Sequence, residues 1–356
     1  MTNGMTPRQR LEAVFSLQAP DRTPALGGWI ANPEAIFRIA EASEDDYYDD
    51  IEGVSIRAYQ KLGCDGLVGI FKPIARGAYR NVNHDSYVKA NFGESLEVSV
   101  EWVEAMDPPE TVEEEFDFEA RYAEYKAELI RVQARCGKMV WMPANWTAGA
   151  KATWFDQFGY ENFLMMTALY PDHVRKLWEI GGARARCASR MAAKAFQEGL
   201  IPRAILLGED LCTQRGPIMS VAMIEQHYAP NLRYGLQPLL EAGMRPVWHS
   251  DGDVRRLMDM LIDCGIKGFQ GFQPECGMLI EEIVKRRTTE GDPLIIFGPM
   301  AVTTELPVMT AQEVESRVKH VIRLCKDMAA LVLFSSNTIN PDVPIENIQA
   351  MYGAVR

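Results

Sequence analysis

Cysteine is sparse in this chain and is never paired. Cys64, Cys136, Cys187, Cys212, Cys264, Cys276 and Cys325 are scattered through 356 residues, with no Cys-x-x-Cys among them. An odd, dispersed set argues against a disulfide framework and leaves reduced structural thiols. Positive charge is also short: 37 Lys and Arg stand against 49 Asp and Glu, for a formal net charge of −12. That balance argues against nucleic acid or an anionic membrane surface as the main partner. No stretch approaches the ~18 uninterrupted apolar residues of a membrane span. The opening Met1-Thr2-Asn3-Gly4-Met5-Thr6-Pro7-Arg8 has no apolar signal core, so a cytoplasmic location is expected. Nor is there a Gly-x-Gly-x-x-Gly, a phosphate loop or a Gly-x-Ser-x-Gly. The sequence marks of a dinucleotide fold, an NTPase and an α/β-hydrolase are therefore missing.

What is present is apolar and periodic. Hydrophobic residues make up 47% of the chain, enough for a sizeable core. Thr6 reads as an N-cap, with Pro7 at the first position of an N-terminal helix. Eight short apolar runs follow, at 23–29, 66–71, 139–145, 205–210, 245–251, 268–275, 293–300 and 330–337. They are near-continuously apolar, as expected of parallel strands covered on both faces. Helical patterns separate them, at 161–179, 221–241, 254–263, 280–287 and 311–328, and Thr310-Ala311-Gln312-Glu313 reads as a capping box. This alternation predicts an α/β chain forming one (β/α)8 TIM barrel over 1–356, preceded by a helical segment. A doubly wound open sheet is the alternative. Ser95-Leu96-Glu97-Val98-Ser99-Val100-Glu101-Trp102 alternates polar and apolar, which predicts a β-hairpin insertion over 78–107 after the second strand. The acidic run 110–119 leads into a helix near 121–135.

In a barrel, the carboxyl ends of the strands converge on one mouth. Here they read Trp29, Phe71-Lys72, Asn145-Trp146, Glu209-Asp210, His249-Ser250-Asp251, Gln273-Pro274-Glu275, Gly298-Pro299-Met300 and Ser335-Ser336-Asn337. A structural core would not select imidazole, carboxylates and amides for one volume, because buried unpaired charge is costly. His249 is the strongest candidate, and Asp251 lies on the same side of its strand. With Asp210 and Glu275 they form the candidate catalytic set. A neutral imidazole with carboxylates is a zinc donor set, read here as His249, Glu209 and Glu275. A carboxylate–imidazole network without metal is the open alternative. Trp29, Asn145, Trp146 and Asn337 are candidate substrate-binding residues, and Trp146 with Trp154 would wall an aromatic pocket if they are not core. Asp253 reads as a helix N-terminal residue. His84, His173, His227 and His320 read as structural.

The order of elements resembles the uroporphyrinogen decarboxylase superfamily. The likeness rests on Thr6-Pro7-Arg8-Gln9-Arg10-Leu11 with Pro20-Asp21-Arg22-Thr23-Pro24, and on Asn340-Pro341-Asp342-Val343-Pro344-Ile345-Glu346-Asn347-Ile348. Between them, His249-Ser250-Asp251-Gly252 and Gln273-Pro274-Glu275 fall where that family places its active-site strands. The decarboxylases themselves carry Met-Arg-Gln-Ala-Gly-Arg-Tyr for substrate carboxylates, where this chain has Gly27-Gly28-Trp29-Ile30-Ala31-Asn32-Pro33. The corrinoid-dependent methyltransferase branch is the nearer match. Its thiol-methylating members hold zinc through His-x-Cys and a later Cys. Here His249 matches, Asp251 replaces the first Cys, and Ser335-Ser336-Asn337 occupies the region of the second. Harder donors suit an oxygen leaving group better than sulfur, as in the O-demethylase methyltransferases. The resemblance then implies a methoxylated, aromatic substrate whose methyl group is attacked in line by the Co(I) centre of a partner corrinoid protein. His249, Asp251, Glu209 or Asp210, and Glu275 would assist the departing oxygen, through zinc or by donating a proton. Two further readings stay open. One is a metal-free decarboxylase or lyase acting on a smaller acid, with Lys72, Arg76 and Arg80 as its cationic clamp. The other is a non-catalytic corrinoid-binding subunit, which would not need polar strand ends. A homodimer is an assembly the sequence leaves open.

Overall fold

The computed structural model describes residues 4–73, 76 and 95–356. Eight parallel strands appear among them, seven inside an apolar run and β4 starting one residue before its run. They are β1 Leu26–Gly27, β2 Gly66–Leu67, β3 Val140–Trp141, β4 Ala204–Gly208, β5 Arg245–His249, β6 Gly268–Gln270, β7 Ile295–Met300 and β8 Ala330–Ser335. Strands β1 to β3 form one sheet and β4 to β8 another, in chain order. Two seams join the sheets. Ala25 bridges Leu333 in parallel, with Leu333 N–H donating to Pro24 O at 2.8 Å, and Asn145 N–H donates to Leu206 O at 2.8 Å. This mixed α/β arrangement with parallel sheets is compatible with a (β/α)8 barrel. A two-stranded antiparallel ribbon, Cys212–Thr213 with Gly216–Pro217, follows β4.

Two helices start where the sequence marks their caps. Thr6 and Thr310 each complete a capping box, with Gln9 and Glu313. Three readings are corrected. The expected helix over 161–179 is two helices, Tyr160–Leu169 and Pro171–Gln197, divided where Pro171 has no N–H to continue the first. The helix after β5 begins only at Met258, not at 254. The alternating stretch from Ser95 is no hairpin arm. It is the helix Leu96–Ala105, with the Ser95 side chain accepting from Val98 N–H, and it buries Ser99, Val100 and Val103. Those three positions lie on one helical face. The rest of the expected insertion, 78–94, lies outside the described residues, as do His84 and Arg80.

Apolar side chains of the strands make a shared interior: Leu26, Val140, Leu206, Val247, Phe297 and Val332, with Val68 just after β2, pack in one cluster with Leu11, Val14 and Phe15 of the first helix. All seven cysteines are buried and unpaired. No described helix is long and apolar enough to cross a membrane.

Below the strands, charge is buried in one place. Asp65, 1% exposed, accepts from Arg10 Nη1 at 2.5 Å, from Arg22 Nη1 and Nη2 at 2.9 and 3.0 Å, and from Ala25 N–H at 3.0 Å. Arg10 also meets Asp21 at 2.6 Å. One carboxylate thus ties the first helix and the entry to β1 to the entry to β2. Removing one partner of a buried pair strands the other charge. Asp65→Ala is expected to cost about 3 kcal/mol or more, read as a lowered urea midpoint. Cutting an exposed pair such as Arg38–Glu34 should cost under about 1 kcal/mol by the same measurement.

Candidate active site

The polar ends of β4, β5 and β6 are brought together by register. Gly208 pairs with His249, and His249 with Gln270. His249 ends β5, after which the chain turns sharply through Ser250 to Asp253. Gly252 has φ +79°, and a Cβ there would lie 2.4 Å from Thr213 O, so the turn requires glycine. Its N–H donates to Gln273 Oε1 at 2.6 Å, and Asp251 N–H donates to Asp210 Oδ1 at 2.8 Å. The turn is therefore held from both neighbouring strand ends, and it carries Asp251 back beside His249.

His249 is fixed on three sides. Its Nδ1 hydrogen-bonds Gln270 Oε1. The ring edges meet Trp29 and Trp146, with centroids 5.3 and 5.6 Å away and interplanar angles of 87° and 68°. Nε2 looks toward two carboxylates, at 3.7 Å from Asp210 and 4.0 Å from Asp251. Asn337 Nδ2 donates to both oxygens of Asp251, at 2.7 and 2.8 Å. Burial pushes the Asp251 carboxyl above the ordinary carboxylate range, nearby Asp210 pushes the same way, and His249 and Asn337 oppose it. Asp210, His249 and Asp251 each offer a ligand atom, all within 4.8 Å of one another.

The expected residues divide as follows. His249, Asp251 and Asp210 are together. Glu275 is exposed on the turn after β6, and Glu209 points elsewhere. Neither belongs to the metal-sized group among the described residues, where Asp210 and Asp251 accompany His249 in place of Glu209 and Glu275. Glu209 Oε1 accepts from Thr153 Oγ1 at 2.6 Å and from the N–H groups of Thr153 and Ala152 at 2.9 and 3.3 Å, clasping the loop after β3 to the end of β4. Trp29 and Trp146 flank the site, and Trp146 is 45% exposed. Trp154 is core, 1% exposed. Asn145 uses its side-chain oxygen on Ala148 N–H at 3.3 Å. Asn337 is committed to Asp251. Asp253 does not open a helix: it is buried and pairs with Arg255 at 2.7 Å. Arg76, one arm of the expected clamp, is paired with Glu44 and Asp45. His173 and His320 sit beside Glu104 and Glu281. Sequence reading missed Gln270 and Thr153, and gave Gln273 a place at the mouth but not its bond to Gly252 N–H. The available signal was Gln270 itself, an amide inside an otherwise apolar strand.

The Glu209 clasp has a testable pH signature. Burial raises its carboxyl above the ordinary glutamate value, while Thr153 opposes the rise. A raised carboxyl binds its proton more tightly in the folded state. Stability is then lost as pH rises from the unfolded value, about 4.3, through the folded one. Glutamine can still accept the same bonds without ionising. Glu209→Gln is expected to gain on the wild type as pH rises through that window, with the difference flat above it. Glu209→Ala should cost about 1–3 kcal/mol. Denaturation midpoints from pH 4 to 8 read both outcomes.

Among the solved structures that are similar is a methyltransferase from Methanosarcina mazei, with a TM-score of 0.60, 13% sequence identity and 98% of each chain covered. No protein-family model and no curated protein matches this sequence. At that identity the likeness shows the fold: this chain shares its overall α/β architecture with a methyltransferase over nearly its whole length.

Proposed function

We propose that this protein is a methyltransferase whose eight strands close into a barrel, and that it moves a methyl group from a methoxylated aromatic compound to a corrinoid carried by a partner protein. The observation that carries the reading is the convergence of one imidazole nitrogen and two carboxylates beside two indole rings, at the carboxyl ends of parallel strands. Three electron-rich groups within 4.8 Å repel one another unless a cation lies among them. A proton and a divalent ion both meet that need. Three protein donors of N and O type are the set of a catalytic zinc site with one position open. His249, Asp210 and Asp251 would hold the ion. When bound, it would supply Lewis acidity toward an ether oxygen.

The chain's own residues do the rest. Gln270 and Asn337 hold the imidazole and the Asp251 carboxylate in place. Trp29 and Trp146 offer ring faces to an aromatic substrate. Asn145, with its oxygen occupied, has its amide hydrogens for a substrate acceptor. Glu275 lies exposed on the rim. Where a proton rather than an ion sits among the three groups, the Asp251 carboxyl would be the one to pass it to the departing oxygen. The overall fold shared with a methyltransferase adds support, as does the sequence resemblance.

Purified protein is expected to hold about one zinc per chain, and His249→Ala to lose it. Methyl transfer from a panel of methoxylated aromatics to a reduced corrinoid is expected for the wild type, and to fall about 10²–10⁴-fold in His249→Ala. No turnover with any of the panel, or full activity in His249→Ala, would sink the reading.

A further inference from the structure

The amide of Gln270 has only one way to sit. Gln270 is 3% exposed, on the central strand β6. Its Nε2 donates one hydrogen to Ser335 O at 2.8 Å and the other to Ser336 O at 2.9 Å, both at the end of β8. Backbone carbonyls only accept. Turning the amide over would press its oxygen against two carbonyl oxygens and leave both NH₂ hydrogens facing an imidazole nitrogen. The oxygen must therefore face His249, and an amide oxygen can bond only a nitrogen that bears hydrogen.

We infer that Gln270 is a positioning residue that locks His249 in the Nδ1–H form and so keeps the Nε2 lone pair bare, aimed between Asp210 and Asp251. The lock runs from the backbone of β8, through a buried side chain of β6, to the imidazole at the end of β5. It rests on the reading of the site as one that binds a cation through His249, yet it is a statement about the ring alone. A neutral imidazole in water favours the other tautomer only slightly, so one directed hydrogen bond of about 1 kcal/mol is enough to decide the population. A residue that fixes the second nitrogen also fixes the ring's orientation and raises its donor strength, which is how partners behind a metal-bound histidine act. The Gln270 side chain bonds His249 and the carbonyls of Ser335 and Ser336, so its role is carried through His249.

Long-range 1H–15N NMR of the chelator-treated wild-type protein at alkaline pH reads the tautomer directly. A protonated Nδ1 with a bare Nε2 is expected, and a spectrum dominated by Nε2–H would overturn the inference with no variant needed. Gln270→Met keeps the size and removes both the acceptor and the donors. In that variant the two tautomers are expected to mix, and zinc affinity by titration calorimetry to fall about 10–100-fold. Unchanged tautomer and unchanged zinc affinity would overturn it too. An Nδ1–H ring in a protein that binds no zinc would support the lock and remove the metal reading, which separates the two claims.

Discussion

Parallel strands in register deliver their carboxyl ends to one level, and every contact at the candidate site is a consequence of that. Gly208, His249 and Gln270 are successive partners across β4, β5 and β6, and Phe297 of β7 continues the row. Glycine at the β4 end lets the chain pass close to His249: a Cβ on Gly208 would sit 2.1 Å from His249 O. The ladder thus brings the imidazole beside an amide on one side and the start of an acidic pair on the other. The same hydrogen bonds that build the core set the spacing of the polar groups, with no separate scaffold for the site.

Several of these features could be read from the residues. Eight apolar runs became eight strands because a parallel strand buried on both faces has no polar alternation to hide it. Thr6 and Thr310 announced their helices because a capping box is a local bond between residues three apart. His249, Asp251 and Asp210 stood out because charge at a strand end is expensive unless it is used. Other features could not be read. The Ser95 stretch fits a period of two as well as a helix, and packing decided it. Whether Glu209 or Asp210 faces inward depends on one residue of register and on Thr153, more than fifty positions away. Gln270 shows only as an amide in an apolar strand; its role comes from the two carbonyls at the end of β8.

Several of the polar groups are held by partners that are themselves bonded. Asp251 is gripped through both oxygens by Asn337, whose own oxygen accepts from Thr338 N–H at 2.6 Å. His249 is held by an amide whose hydrogens are both committed. Gly252 is bound by Gln273, and Glu209 bolts the loop after β3 to β4. Supports of this kind keep reacting groups within a fraction of an ångström of a working geometry. They also explain why two of the amides that look suited to a ligand, Asn337 and Gln273, are spent on the protein.

The seam between β1 and β8 carries a different consequence, for how the chain comes off the ribosome. Ala25 finds its strand partner in Leu333, and Leu333 donates to Pro24, so the first strand stays unpaired on one edge until residues 330–335 have been made. Long-range parallel pairing of this kind is slow, and an open strand edge invites pairing with other chains. The cluster of Arg10, Arg22, Asp21 and Asp65 involves only the first 65 residues. It can form early and hold the first two strands in position while the last one is still being translated.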